Sequence, residues 1–230
     1  AAILKNQNIH KITRRAKYLL FHCDSGTLLI HLGMSGSLRI LDNPDGLAKH
    51  DHVDINFANG YLLRYTDPRR FGAILWAEGD VYQHALLNHL GPEPLSSSFS
   101  NDYLILKVQG RKSSIKTFIM NGKIVVGVGN IYANEALFLA GIHPKTVASK
   151  LTQDKIKALV SAIKQVLDKA IMEGGTTLKD FKQSDGKPGY FAQHLNVYGR
   201  GKLPCYHCGN IIQMYKELQR ATYYCPLCQN

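Results

Sequence analysis

Acidic residues are scarce in this chain. Over 230 residues, 17 aspartates and glutamates face 28 lysines and arginines, for a net charge of +11 and a sequence pI near 9.4. That imbalance argues against a charge-neutral surface and points to a polyanionic partner, first of all nucleic acid. Long apolar runs are missing too. None approaches the ~20 residues that cross a bilayer, and residues 1–20 are mixed and basic, unlike a secretory leader. No membrane partner is expected, and the chain reads as a monomer of a reducing cytosol. Cysteine is sparse, at five residues. Cys23 stands alone in an apolar stretch and reads as a buried reduced thiol. Internal repeats and low-complexity tracts are lacking. Apolar residues are not: at 45% they suffice for a core.

The other four cysteines close the chain as Cys205-x2-Cys208 and Cys225-x2-Cys228. Two such knuckles suit one tetrahedral zinc, with a pair of disulfides as the alternative. Between them Ile211, Ile212, Met214, Tyr223 and Tyr224 read as a short β-hairpin. A hairpin of that size presents side chains to something else or acts as a structural clip.

Three zones follow from periodicity. Residues 1–91 read as an antiparallel β-sandwich, with strands at 18–23, 27–32, 37–41, 53–57, 61–65 and 71–76 and a tight turn at Asn59-Gly60. Residues 91–102, with Pro92, Pro94 and four serines, read as a linker. Residues 92–195 are helical: Thr152 caps a helix with Ile156, Leu159, Val160, Ile163, Val166, Leu167 and Ile171 on one face, stopped by Gly174-Gly175. A second helix spans 131–140 after the loop Gly127-Val128-Gly129-Asn130. Residues 196–230 form the zinc hairpin. The fold class is α+β, multidomain.

Single features carry paired readings. The glycine loop before Asn130 can bind phosphate on unsatisfied helical N–H groups, or can be a tight loop with an asparagine cap. Arg69 and Phe71, in Asp67-Pro68-Arg69-Arg70-Phe71-Gly72, can fill a groove and wedge a base stack, or can be a paired arginine and a core aromatic. Met34 alone reads more as core than wedge. Lys17 can act as an acid or base on entering a strand, or can be a solvated edge. Arg220 is either the finger of the hairpin or a surface cation. The loop 183–193, QSDGKPGYFAQ, can cover a base or be an ordinary surface loop.

Together these residues resemble the bacterial formamidopyrimidine-DNA glycosylases of the helix-two-turn-helix superfamily. The resemblance runs through RRAKYLL at 14–20, HLGMSGSLR at 31–39, KHDHVD at 49–54, LRYTDPRRFGA at 63–73, HLGPEPL at 89–95, VVGVGNIYANEALF at 125–138, GGTTLKDF at 174–181, the loop 183–193 and QRATYYC at 219–225. It implies a helix-two-turn-helix within the central domain and a lesion-capping role for the 183–193 loop. It also implies excision of oxidised purines such as 8-oxoguanine and formamidopyrimidines from damaged double-stranded DNA. An N-terminal proline amine attacks the sugar, and β- then δ-elimination cuts the strand.

By the same resemblance, Lys17 contacts the phosphate beside the lesion and assists proton transfer, and Arg220 serves δ-elimination. Met34, Arg69 and Phe71 fill the void, with Arg69 facing the orphaned cytosine, whose O2 and N3 accept from arginine. His50, Arg111, Lys116, Asn130, Lys187 and Tyr198 contact DNA. The polypeptide opens Ala1-Ala2-Ile3 rather than with the family's proline and glutamate, so roughly forty residues of the family layout, about one helix and one strand of the sandwich, are lacking ahead of Lys17. The polypeptide as written is therefore expected to bind DNA poorly and to lack glycosylase activity. The alternatives are an endonuclease VIII-like enzyme for oxidised pyrimidines and a non-catalytic damaged-DNA-binding module. A zinc-ribbon RNA binder is disfavoured, because RRM and KH patterns are missing.

Overall fold

The computed structural model describes residues 2–42, 46–175 and 194–230. Among the described residues the chain divides into two compact units, one of residues 2–42, 46–88 and 174–175 and one of residues 89–173 and 194–230.

Among the described residues the first unit holds seven antiparallel strands: β1 (Ile9–Arg15), β2 (Tyr18–Cys23), β3 (Thr27–His31), β4 (Ser37–Asp42), β5 (Asp51–Asn56), β6 (Tyr61–Thr66) and β7 (Ala73–Ala77). They form a four-stranded sheet in the order β1-β2-β3-β7 and a three-stranded sheet in the order β4-β6-β5. Alternation aims Phe21, Leu28, Ile30 and Leu63 into one core, against Leu38, Ile55, Phe57, Ile74 and Trp76 from both sheets. The Asn59-Gly60 signal is a real turn: Gly60, at φ +89°, donates its N–H to Phe57 O and joins β5 to β6. Two expectations shift. β1 was not foreseen, and the strand placed at 71–76 begins at Ala73, leaving Phe71 in the preceding loop.

The second unit holds α1 (Asn101–Val108), α2 (Ile115–Ile119), α3 (Asn130–Leu139), α4 (Gln153–Met172) and a hairpin of β8 (Gln213–Glu217) and β9 (Arg220–Tyr224). Thr152 caps α4 as its sequence suggests, with Oγ1 accepting from Lys155 N at 3.3 Å. The expected apolar face of α4 is buried except Ile171, which stands exposed in the last turn. At the end of the expected linker, Ser100 caps α1 through a 3.1 Å bond from Tyr103 N, so the first helix starts where the serine- and proline-rich stretch runs out.

The zinc hairpin, expected as a separate domain from residue 196, belongs to the same compact unit as the helices. Val197, Cys205, Ile212 and Cys225 share a core with Phe138 of α3. The buried Glu135 of α3 accepts N–H bonds from Asn196, Val197 and Tyr198 at 2.8 to 3.0 Å. Asn134 accepts from Tyr223 N at 2.7 Å. Too small for a core of its own, the hairpin borrows one from α3.

Candidate nucleic-acid interface and metal centre

In the first unit, Met34, Arg69 and Phe71 are exposed, Met34 at 64% and Phe71 at 57%. The core readings for Met34 and Phe71 are thereby set aside. Apolar side chains exposed next to one another are what an interaction surface presents, and Gly33, the neighbour of Met34, lies against the backbone of Phe71. The Arg69 guanidinium lies 4.8 Å from the Phe71 ring centroid, a cation–π contact that orients both side chains.

What holds this group is Asp67, wholly buried at 0% exposure. Its carboxylate accepts from Ser35 Oγ at 2.6 Å, Tyr65 Oη at 2.9 Å, Gly72 N at 2.9 Å and Arg69 N at 3.3 Å. Burial alone would raise its pKa. The four donors outweigh that and hold it at about 2. Ser35 also accepts from Arg69 N at 3.2 Å, which ties the turn carrying Met34 to the loop carrying Arg69 and Phe71. His52 Nε2 donates to Asp67 O at 2.8 Å from the bulge of β5. A Cβ at Gly33 would lie 2.5 Å from the Phe71 carbonyl carbon, and one at Gly72 1.8 Å from Tyr65 Oη. Both positions need glycine for close approach.

Lys17 sits exposed in the two-residue turn between β1 and β2, beside Ala16 at φ +54°, rather than within a buried strand. Burial, and next the charge of Lys17, lower the pKa of His31, whose ring stacks on Tyr18 at 4.8 Å. His50 is half-buried and accepts Asp67 N through its carbonyl at 3.0 Å.

In the second unit, a cavity of about 590 Å³ is lined by Arg111, Lys116, Thr117, Lys123, Glu217 and Arg220, among others. Arg111 and Arg220 are exposed there. Lys116 is only 2% exposed, and its Nζ donates to Thr222 Oγ1 at 2.7 Å and Ala221 O at 3.2 Å. Burial brings its pKa down to about 8; Glu217 acts against that shift and Arg220 with it. Asn130 is not the helix cap. Gly129 occupies that position without a side-chain bond, and Asn130 begins α3, its Nδ2 donating to the same Ala221 O at 3.1 Å. Its Oδ1 is buried without a hydrogen-bond partner, a cost that a donor from a ligand would remove. Tyr198 packs edge-on against Tyr223 at 5.2 Å. The structure thus gathers Met34, Arg69 and Phe71 in one unit, and Arg111, Lys116, Asn130 and Arg220 in the other. Lys187 and the 183–193 loop lie outside the described residues.

The four cysteine sulfurs lie within 4.8 Å of one another, with Cys208 and Cys225 at 3.4 Å and Cys205 and Cys228 at 4.0 Å. Zn–S bonds of about 2.3 Å in a tetrahedron place sulfurs about 3.8 Å apart, whereas a disulfide needs about 2.05 Å. The donor set fits one zinc, and the thiols are free. Gln229 braces the site, accepting from Cys225 N and donating to Ile142 O, both at 2.9 Å.

Sequence reasoning missed Asp67, Glu135 and Glu217 as organisers. The available signal was their charge: in so basic a chain, an acid inside a motif marks a place where backbone or hydroxyl donors must converge.

Comparison with known proteins bears on the whole chain. Residues 1–74 match the formamidopyrimidine-DNA glycosylase N-terminal domain, residues 90–182 the formamidopyrimidine-DNA glycosylase H2TH domain, and residues 202–230 the zinc finger found in FPG and IleRS. A formamidopyrimidine-DNA glycosylase of Hydrogenovibrio crunogenus is 59% identical over 95% of this chain and 78% of its own length. One from Shewanella loihica is 56% identical over 97% of this chain and 82% of its own. The MutM (Fpg) structure from Thermus thermophilus superposes with a TM-score of 0.91 at 36% identity, covering 99% of this chain and 85% of that one. Lactococcus lactis Fpg in complex with abasic-site DNA gives 0.91 at 35% identity, covering 99% and 84%. No described helix is long and apolar enough to cross a membrane. The chain belongs to the formamidopyrimidine-DNA glycosylase family, a family of zinc-finger DNA-repair enzymes.

Proposed function

We propose that this chain acts on oxidised purines in double-stranded DNA as a glycosylase with an associated abasic-site lyase step, working as a monomer in the bacterial cytosol. The observation that carries the reading is the exposed trio of Met34, Arg69 and Phe71 clamped by the buried Asp67. Phe71 is the wedge, Met34 fills the vacated space, and Arg69 donates to O2 and N3 of the orphaned cytosine. Arg111, Lys116, Asn130 and Arg220 serve the phosphates, with Lys17 beside the lesion, and His50, Tyr198 and Lys187 add further DNA contacts. Solved relatives support the substrate class: Lactococcus lactis Fpg variants hold Fapy-dG DNA, and a MutM structure holds carbocyclic 8-oxo-G DNA. Oxidised pyrimidines are a second substrate class, because wild-type Lactococcus lactis Fpg is also solved with an oxidised pyrimidine in DNA.

The test joins the chain behind the N-terminal segment of the Hydrogenovibrio relative and mixes it with 8-oxoguanine duplex and borohydride. The protein is expected to be trapped as a covalent adduct and to cut opposite cytosine in preference to adenine. A folded, zinc-loaded protein that gives neither adduct nor cleavage overturns the reading.

A further inference from the structure

Glu217 belongs to none of the motifs that carried the family resemblance, yet among the described residues it is the one acid on the walls of the basic cavity. It ends β8, one two-residue turn before Arg220. Its Oε1 accepts from Ser114 Oγ at 2.5 Å and from Thr117 Oγ1 at 3.1 Å. Ser114 caps α2 and Thr117 lies in its first turn, so both bonds fasten the end of the hairpin to that helix. Residues 218 and 219 form the turn with φ of +45° and +62°. A leucine and a glutamine there are strained, and the turn needs an anchor beside it.

The second observation is electrostatic. Lys116 lies between the same two elements, α2 and the hairpin. The charged and titratable groups around it are Arg111 after α1, Lys123 after α2, Tyr215 and Glu217 on β8, and Arg220 on β9. Among these described groups, Glu217 is the one that favours its charged form. Two of the three ammonium protons are spent on Thr222 and Ala221, and the third remains for an anion.

We propose that Glu217 is a positioning residue for the basic pair of this cavity: its carboxylate docks the turn that carries Arg220 onto α2 and supplies the counter-charge that keeps Lys116 an ammonium. That the anion is a DNA phosphate rests on the proposed function. The positioning role does not, and is measured without DNA.

The experiment follows the pH dependence of reductive methylation at Lys116 by peptide mass spectrometry, on the full zinc-loaded chain, alongside amide hydrogen exchange over 216–222. The native chain is expected to titrate near pH 8. Glu217→Gln, which keeps an acceptor and removes the charge, is expected to lower the midpoint by about one unit, a tenfold shift in protonation. Glu217→Ala should do the same and also speed exchange in the turn. Thr117→Val loosens one docking bond and leaves the midpoint in place. Glu217→Asp keeps the charge with a shorter reach, so it holds the midpoint while exchange rises. An unmoved midpoint in folded Glu217→Gln, a midpoint that drops with Asp as far as with Gln, or unchanged exchange in Glu217→Ala each overturns the proposal. A failure of lesion cleavage with these midpoints as expected leaves it standing and counts against the proposed function alone.

Discussion

At the scale of the residue, Asp67 is where sequence turns into geometry. Its four donors come from Ser35, Tyr65, Arg69 and Gly72, and losing the charge leaves buried donors unanswered. Asp67→Asn is expected to destabilise the first unit by about 2 to 3 kcal/mol, measured by urea unfolding, and to weaken lesion binding even though residue 67 is itself buried. The sign with pH follows from the depressed carboxyl. Folding favours its ionised form, so the stabilisation is complete above the ordinary value of 3.8 and disappears as pH falls towards about 2. Stability measured from about pH 5 down to about 2 should therefore fall more steeply in the native protein than in Asp67→Asn. Lys116 moves stability in the same direction with pH, as a cost rather than a gain: burial lowers its pKa, so the cost is full below about 8 and shrinks as pH rises above it. The trio was grouped by the family resemblance alone, since Met34 by itself reads as core; the acid that organises it was not legible at all. Ser35 lies 32 residues from Asp67, and no local pattern predicts such a bond. Glu217 is more distant still, 103 residues from Ser114.

At the scale of the element, α4 and the zinc hairpin could be read from spacing alone. One has a cap and a helical apolar rhythm, and the other has two Cys-x2-Cys knuckles. β1 could not be read, because it is an edge strand with a bulge near Ile9, largely exposed, whose identity comes from pairing with β2. α2 has five residues, fewer than two turns, so periodicity has nothing to act on. The hairpin itself hangs on its metal and on α3. Chelation of zinc is expected to raise hydrogen exchange throughout 200–230 and to abolish DNA binding, while the protection of β2, β3 and β6 stays unchanged. Unchanged affinity after complete metal removal would contradict this. Because Phe138 of α3 belongs to the hairpin's core, exchange in the last turn of α3 should rise as well.

At the scale of the whole molecule, the excess of positive charge found at the start becomes an expectation about salt. Four cations, Lys17, Arg111, Lys116 and Arg220, are proposed phosphate partners. With the relative's N-terminal segment joined, log affinity against log salt should fall with a slope of about −3 to −4. Arg111→Gln should reduce its magnitude by about one without altering lesion preference. A slope near zero would remove DNA phosphate from the account.

One small gap in the backbone has a large reach. The space above Gly72 is already occupied by the Tyr65 hydroxyl and the His31 carbonyl. A single methyl group added there would push the phenol off its carboxylate and the loop off its bed. Sulfur, guanidinium and ring would go astray together, although the atoms the intruding carbon meets first belong to Tyr65 and His31. An alanine codon at this position would read as a harmless change on any scan of surface side chains, and would disarm the protein.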